Sequence, residues 1–528
     1  MTDDAVEMLR LELHGSRVGY LAGYRSGRNI MVFDEAWRFD ASRPTLSLTL
    51  HPEFPRAGEL MQAPWIRQQR LHPWFSNLLP EGGLRDWLAQ RLKVHPDNEF
   101  PLLASLGHDL PGALQVSPVA PDEMPDWVLS HRRSVTPVRQ VAEVGGGFSL
   151  AGVQMKFSMR ERDGRFHFGH ADELGDWIVK TPSTRHSHMP ENEATAMWLA
   201  QSAGVEIPEI RLISLSALEG LPAINLPEEQ VAYAIRRFDR GGERRIHAED
   251  MAQVLFRYPH EKYDGPNYER LGRLLREYTD DGLANAQAFA RRLLVDILLA
   301  NGDAHLKNWS LLYPDQRTPR LAPAYDVVTT LAYLEGDHQL ALNLNGKKDW
   351  YRLGEEDFRR WSEKAGITWS AIRTVLDSTT LLSAPALSGR VNWSRCPWPR
   401  YTRTFSGGTG AAWRQNGESW LSGKRDQLTL PRIRARLRRA PQGVPVRGKG
   451  CAQRSHRRYH TTPGLPGGHR RMEGIVCHRS PGATLRRTAV SISNSNANAP
   501  RSCSRLPVPT TRPLWHAFFG TSYRARRR

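Results

Sequence analysis

Most of this 528-residue chain has no cysteine: Cys396, Cys451, Cys477 and Cys503 all lie beyond residue 389. The first 389 residues therefore hold neither a disulfide framework nor a thiolate zinc site. Long apolar runs are missing too. The best candidate, Leu293 to Ala300, is interrupted by Asp296 and falls far short of the roughly 18 consecutive apolar residues of a membrane span. The N-terminus is acidic, with Asp3, Asp4 and Glu7, and lacks the charged-then-apolar order of a signal peptide. A soluble, cytoplasmic protein without membrane association is the expectation. No internal repeat at a fixed period is visible. The last scarcity is local. From Arg390 onward there are three acids, Glu418, Asp426 and Glu473, against 29 basic residues, 27 of them Arg, a net +26. The preceding part has 44 basic and 52 acidic residues, a net −8, so the whole-chain charge of +18 describes neither part. A nucleic-acid-binding reading taken from the total alone is thus unsafe.

What is present in the first 389 residues exceeds a single typical core, and two or three domains are expected. Val18–Tyr24 and Leu46–Leu50 alternate as half-buried strands do. Leu84, Trp87, Leu88 and Leu92 fall at helical spacing after Pro80. A Pro-rich stretch over 111–137 reads as a junction. Further on, 177–180 reads as a short strand, 191–203 as a helix closed by Gly204, and 230–238 as a strand. Residues 285–299 read as a buried helix stopped at Asn301-Gly302. Residues 309–313 and 321–325 read as two strands joined by turn chemistry at 314–319.

Asp303 and Asn308 stand five residues apart directly after that buried helix. A kinase catalytic loop uses this spacing, with the Asp as base and the Asn on magnesium. If 309–313 and 321–325 pair as a hairpin, antiparallel geometry brings Asn308 and Asp326 to one end. One amide oxygen and one carboxylate together suit a hard Mg²⁺. Asn-Gly-Asp alone is a common turn; the three residues in this frame favour chemistry. His305 reads as a packing histidine that fixes the loop. Lys307 either contacts transferring phosphate or is a solvated lysine. Upstream, Gly145 to Gly152 is Gly-rich enough to cradle phosphates, although it is neither a Walker A motif nor a full G-x-G-x-x-G. Lys180 ends a short apolar strand, as a phosphate-binding lysine would, and Glu193 on the next helix is its candidate partner, with Glu191 as runner-up.

Taken in order, Ser149 to Lys156, Ile178 to Lys180, Glu191 to Glu193, Arg237 to Arg240, His247 to Asp250, Asn301 to Asn308 and Pro323 to Asp326 resemble the HipA-like serine/threonine kinases. These are toxins of bacterial type II toxin–antitoxin pairs. Trp74 to Arg85 looks like that family's N-terminal domain, and the match spans roughly 10–375. The resemblance implies an α+β, two-lobed protein-kinase-like fold with an extra N-terminal β-rich subdomain. The implied boundaries are 1–110 for that subdomain, 111–144 for a junction, 145–240 for an ATP-binding N-lobe and 241–385 for a catalytic C-lobe. It implies ATP and Mg²⁺ as cofactors, Asp303 as base with Lys307 beside it, and Asn308 and Asp326 as metal ligands. Ser149, Gly152, Lys156, Lys180, Glu193, Arg237, Phe238 and His305 would surround ATP, with Arg236 to Phe238 at the adenine-contacting hinge. Arg236 departs from the Glu expected before Arg-Phe-Asp. Ser149 matches the family's autophosphorylated, self-inactivating serine; phosphate there would repel ATP phosphates. Implied partners are a HipB-like helix-turn-helix antitoxin, operator DNA through it, and a protein substrate such as an aminoacyl-tRNA synthetase.

The Arg-rich tail, 386–528, has three readings: a nucleic-acid-binding arm, a disordered basic tail, or out-of-frame translation of a GC-rich gene. Arg for Lys, abundant Pro and Ser, few acids and sudden cysteines favour the third. Two functions compete with a kinase toxin. One is a catalytically impaired kinase-fold protein acting as a binding partner in a transcriptional regulatory complex. The other is a small-molecule kinase.

Overall fold

The computed structural model describes residues 6–387 apart from 108, 124, 126–153, 169–173, 222–225, 243 and 334–337. Ser149, Gly152 and the tail beyond 387 lie outside the described residues. Strands β1 (Val6–Leu13) and β2 (Ser16–Tyr24) form a hairpin. Its two loop residues, His14 and Gly15, have φ of 51° and 79°, the left-handed pair whose twist suits a two-residue hairpin. β3 (Arg28–Phe33), β4 (Trp65–Gln68) and β5 (Leu114–Pro118) complete an antiparallel sheet in the order β4-β3-β2-β1-β5. The helices Gly82–Leu92 and Glu99–Leu106 bury Trp87, Phe100 and Leu103 in one core with Leu9, Leu11, Leu21 and Met31 of the sheet. Phe100 lies flat against the backbone at Gly23, where a Cβ would come within 2.4 Å of the ring.

A second sheet follows: β6 (Lys156–Arg162), β7 (Arg165–His167), β8 (Trp177–Lys180), β9 (Ile210–Ser214), β10 (Leu218–Glu219) and β11 (Val231–Arg236), ordered β10-β7-β6-β8-β11-β9. The helix Met189–Ser202 packs Ala194, Met197 and Ala200 into one core with Tyr233 and Ile235 of β11. Gly204 follows it with φ 84°, the glycine stop expected there. The remainder is mostly helical. Tyr268–Tyr278, Gly282–Leu298, Glu355–Lys364 and Trp369–Leu387 surround Phe289, whose ring stacks on Trp361 at 5.6 Å and meets Trp309 at 4.3 Å. A three-stranded sheet of His247–Asp250, Ser310–Tyr313 and Arg320–Leu321 carries the site at its end. No helix among the described residues is long and apolar enough to cross a membrane. This is the expected α+β, two-lobed arrangement with an added N-terminal sheet.

Three local expectations need correction. Residues 46–50 are not a strand: all five are buried, and Leu48–Leu50 is a 3-10 turn wedged against the C-lobe, where the Leu48 N–H donates to Glu249 Oε1 at 2.7 Å. Their alternation of Leu with Ser and Thr reflects hydroxyls satisfied indoors, with Ser47 and Thr49 bonded to each other at 3.1 Å. The second hairpin strand stops at Leu321, because Pro323 cannot donate to a ladder. Within the 111–137 junction, Leu114–Pro118 is a strand on β1; as an edge strand it tolerates its terminal proline.

Glu249 locks the N-terminal domain to the C-lobe. It is 2 % exposed and accepts from Leu48 N, Trp74 Nε1 at 3.1 Å and Tyr313 Oη at 2.6 Å. Burial pushes its carboxyl up to about 7, against the pull of these donors. An acid raised in the folded state contributes most below its unfolded value near 4.5, and that contribution is lost as pH rises through 7. Thermal melts from pH 5 to 8 should show a downward drift that is smaller in Glu249→Gln. Parallel drifts in the two proteins would show that Glu249 is not its source.

Candidate active site

Strand register places the first pair of charged groups. Lys180 on β8 stands directly opposite Lys156 on β6 and Tyr233 on β11, so the three lie side by side on one face. Lys180 is 3 % exposed and needs compensating charge. It receives it twice: Nζ donates to Glu193 Oε1 at 2.5 Å and to Asp326 Oδ1. Lys156 Nζ takes the other Asp326 oxygen at 2.8 Å. Burial disfavours a charged Asp326, yet the two ammonium groups hold it well below the usual carboxylate range. Burial pushes Glu193 up while Lys180 pulls it down. Lysines of the second sheet thus meet a carboxylate of the helical part, so both lobes contribute to one cleft.

The C-lobe side is set by backbone clamps. The helix Gly282–Leu298 ends on Ala300 with φ 53°; the left-handed position falls one residue before the Asn-Gly stop signal. Buried Asp296 accepts from Asn301 Nδ2 at 2.8 Å, and Asn301 Oδ1 accepts the Asp303 N–H at 3.1 Å. Burial pushes Asp296 up to about 6, against the pull of Arg292 and Asn301. Asn308 Nδ2 donates to the Asp303 carbonyl at 2.7 Å, closing the loop on itself. Among the described residues no donor reaches Asn308 Oδ1. Arg292, 3 % exposed, uses Nη2 to hold the Asn308 carbonyl at 2.6 Å and the Tyr325 carbonyl at 3.0 Å. One guanidinium thus fixes the two segments that bear Asn308 and Asp326. Asp326 itself sits at φ 54°, a strained conformation for a non-glycine. The helix of Glu193 is tied to the same segment, since Asn192 Nδ2 donates to Thr329 O at 3.1 Å and its Oδ1 accepts Thr329 N at 3.0 Å.

An amide oxygen and a charged carboxylate so clamped are hard oxygen donors, and they fit Mg²⁺ by chemistry. Asp303 keeps its side chain 45 % exposed, with Tyr263 Oη donating to its Oδ1 at 2.5 Å. It is therefore open to a reacting hydroxyl. His305 is 5 % exposed; burial pushes it down to about 4, so it is neutral. Its Nε2 lies 3.9 Å from Asp303 Oδ1 and its ring meets Tyr263 edge-on, a packing role.

Two expected contacts fall elsewhere. Lys307 does not face the cleft: its ammonium is taken by Asn77 O at 3.0 Å, Asn77 Oδ1 at 3.1 Å and Glu81 Oε1 at 3.1 Å. Lys307 and Asn308 sit in the 3-10 turn Leu306–Asn308 that precedes the strand, and successive side chains of such a turn point about 120° apart, so the lysine next to Asn308 clasps the N-terminal domain. Arg237 is likewise no adenine contact through its side chain. Its guanidinium is buried on Asp239 and Asp109, at 2.8 and 2.9 Å. Arg236, where Glu was expected, leans on Trp177 and Glu209, and Phe238 packs near Tyr325 at 5.6 Å. Sequence reading missed Arg292, Asn192 and Tyr263. Arg292 gave a signal, a lone cation on the apolar face of a buried helix; Tyr263 gave none.

The family model of the HipA-like C-terminal domain matches residues 148–384, and that of the HipA N-terminal domain matches 9–117. Among curated proteins, "Putative kinase Y4dM" of Sinorhizobium fredii is 42 % identical over 366 residues, 69 % of this chain and 87 % of the relative. "Serine/threonine-protein kinase toxin HipA" of Shewanella oneidensis is 25 % identical, covering 59 % of this chain and 76 % of its own length. Among solved structures, the Shewanella oneidensis complex of HipA, HipB and operator DNA superposes with a TM-score of 0.59 at 21 % identity. That match covers 80 % of this chain and all of the other.

Proposed function

This chain belongs to the HipA-like kinase family, and on that premise we propose that it is an ATP-dependent serine/threonine protein kinase acting as a toxin in the cytoplasm. The family's kinase-named members support phosphoryl transfer in general. The observation that carries the finer reading is the closed set Glu193–Lys180–Asp326, with Asn308 bonded to Asp303 and its segment held to that of Asp326 by Arg292. An ammonium has three donors; Lys180 spends two on Glu193 and Asp326, leaving one for an α- or β-phosphate oxygen. Lys156, half exposed, is free to exchange its Asp326 contact for phosphate. Magnesium held by Asn308 Oδ1 and Asp326 would neutralise charge on the transferring group. Asp303 then accepts the proton of a serine or threonine hydroxyl, while neutral His305 and the Asn301 clamp keep its loop in place.

Ser149 is the proposed site of self-phosphorylation, with loss of activity as its consequence. A HipB-like helix-turn-helix antitoxin, reaching operator DNA, is the proposed partner; it is supported by the composition of the superposing complex. An aminoacyl-tRNA synthetase is the proposed type of substrate. Incubation of the full chain with labelled ATP and Mg²⁺, followed by peptide mapping, tests the reading. Covalent label on serine, Ser149 foremost, is expected, and label should fall in Ser149→Ala. ATP turnover with no phosphoprotein would overturn it in favour of a small-molecule kinase.

A further inference from the structure

Four side chains from two parts of the chain converge beside Asp303. Glu81, just before the helix Gly82–Leu92 of the N-terminal domain, accepts from Lys262 Nζ at 3.0 Å and pairs with Lys307 Nζ at 3.1 Å. Although burial pushes the other way, these two cations hold its carboxyl down at about 2. Lys262 precedes Tyr263, whose hydroxyl donates to Asp303 Oδ1. Lys307 lies four residues after Asp303 and is further fixed by Asn77. One carboxylate from outside the kinase lobes thus grips the segments on both sides of the base.

We propose that Tyr263 is a positioning residue for Asp303, and that Glu81 of the N-terminal domain holds it in place by gripping Lys262 and Lys307. This rests on Asp303 being the base. The physical argument is rotational. A short carboxylate on an open loop turns about χ1 and χ2, and only some rotamers present an oxygen to the incoming hydroxyl. Asp303 is 45 % exposed, so packing alone does not select one. A charge-assisted hydrogen bond to Oδ1 does, and leaves Oδ2 for the proton. His305 supports the tyrosine ring from below, with centroids 5.1 Å apart. The arrangement also gives the N-terminal domain a role in phosphoryl transfer, through Glu81 and Asn77 acting on Lys262 and Lys307.

Full-length Tyr263→Phe and Glu81→Gln test this by labelled-ATP autophosphorylation, with exchange and melting measured alongside. Tyr263→Phe keeps the ring against His305 and removes only the donor. Its rate at saturating ATP should drop roughly tenfold, with half-saturating ATP and melting temperature unchanged. Glu81→Gln should give a similar drop, and faster hydrogen–deuterium exchange at 259–265 and 303–308 but not at 189–202. An unchanged rate in Tyr263→Phe overturns the proposal. So does a faster rate, which would make the tyrosine a competitor of substrate, or a loss accompanied by a lower melting temperature, which would make it structural. Unlabelled wild-type protein would instead bring down the kinase reading, and this inference with it.

Discussion

Asp303→Asn should abolish nearly all phosphoryl transfer while leaving nucleotide binding intact. The amide cannot accept a proton, and loss of a general base typically lowers rate by about 10²–10⁴-fold. The substitution should not disturb the loop, because the contacts of Asp303 that hold the fold are backbone ones. Its N–H donates to Asn301 Oδ1 and its carbonyl accepts from Asn308 Nδ2; both survive. Tyr263 Oη can still donate to an amide oxygen. Lys180, Glu193 and Asp326 are untouched, so a fluorescent ATP analogue should bind with unchanged affinity. The measurement is the single-turnover rate of autophosphorylation beside that titration. Full activity in the variant would remove Asp303 from the mechanism, and lost binding would show that it shapes the nucleotide site instead.

The legible parts of this molecule are those where chemistry is local in sequence. The helix 189–202 with its glycine stop, the buried helix ending near Asn301, and the strand at Lys180 each carry their pattern within a dozen residues. Strand register then does what spacing suggests. Lys180 falls at the strand end nearest the next helix, and Glu193 meets it. The parts that were illegible are settled by distant neighbours. Lys307 looks like a phosphate contact until Asn77 and Glu81, some 230 residues earlier, take its ammonium. Leu46–Leu50 alternates like a strand, yet it is buried throughout, with Leu46 and Leu50 in the N-terminal domain's own core and Leu48 in the core of the helical part. Arg237 lies in a hinge motif but turns to a cluster in which one of the two acids, Asp109, comes from the N-terminal domain. For Lys307 and Arg237 the cause is the same: the added domain supplies partners to a side chain that a two-lobed kinase would leave to solvent or ligand.

The same cluster carries the largest expected loss of stability. Asp239 is 7 % exposed and accepts from Arg237 at 2.8 and 2.9 Å, from Arg240 at 3.0 Å and from Gly112 N at 2.7 Å. Asp109 accepts from the same two guanidinium groups and from Ser158 on β6. Two acids thus balance two arginines where the N-terminal domain, the second sheet and the segment after β11 meet. Asp239→Asn leaves both cations buried on one carboxylate, a change that costs about 3–5 kcal/mol for a broken buried pair. The chemical-denaturation midpoint should fall accordingly. Asp239→Asn combined with Arg240→Gln restores one acid to one arginine, and should recover part of the loss; full additivity of the two single losses would show that the pair does not interact. The acid side offers an independent check. Although burial opposes it, Arg237 and Arg240 hold the Asp239 carboxyl well below its ordinary value. A depressed carboxyl contributes stability above its unfolded value near 4 and loses it as pH falls further. The wild-type protein should therefore lose stability more steeply below pH 4 than Asp239→Asn, and the two curves should converge in acid.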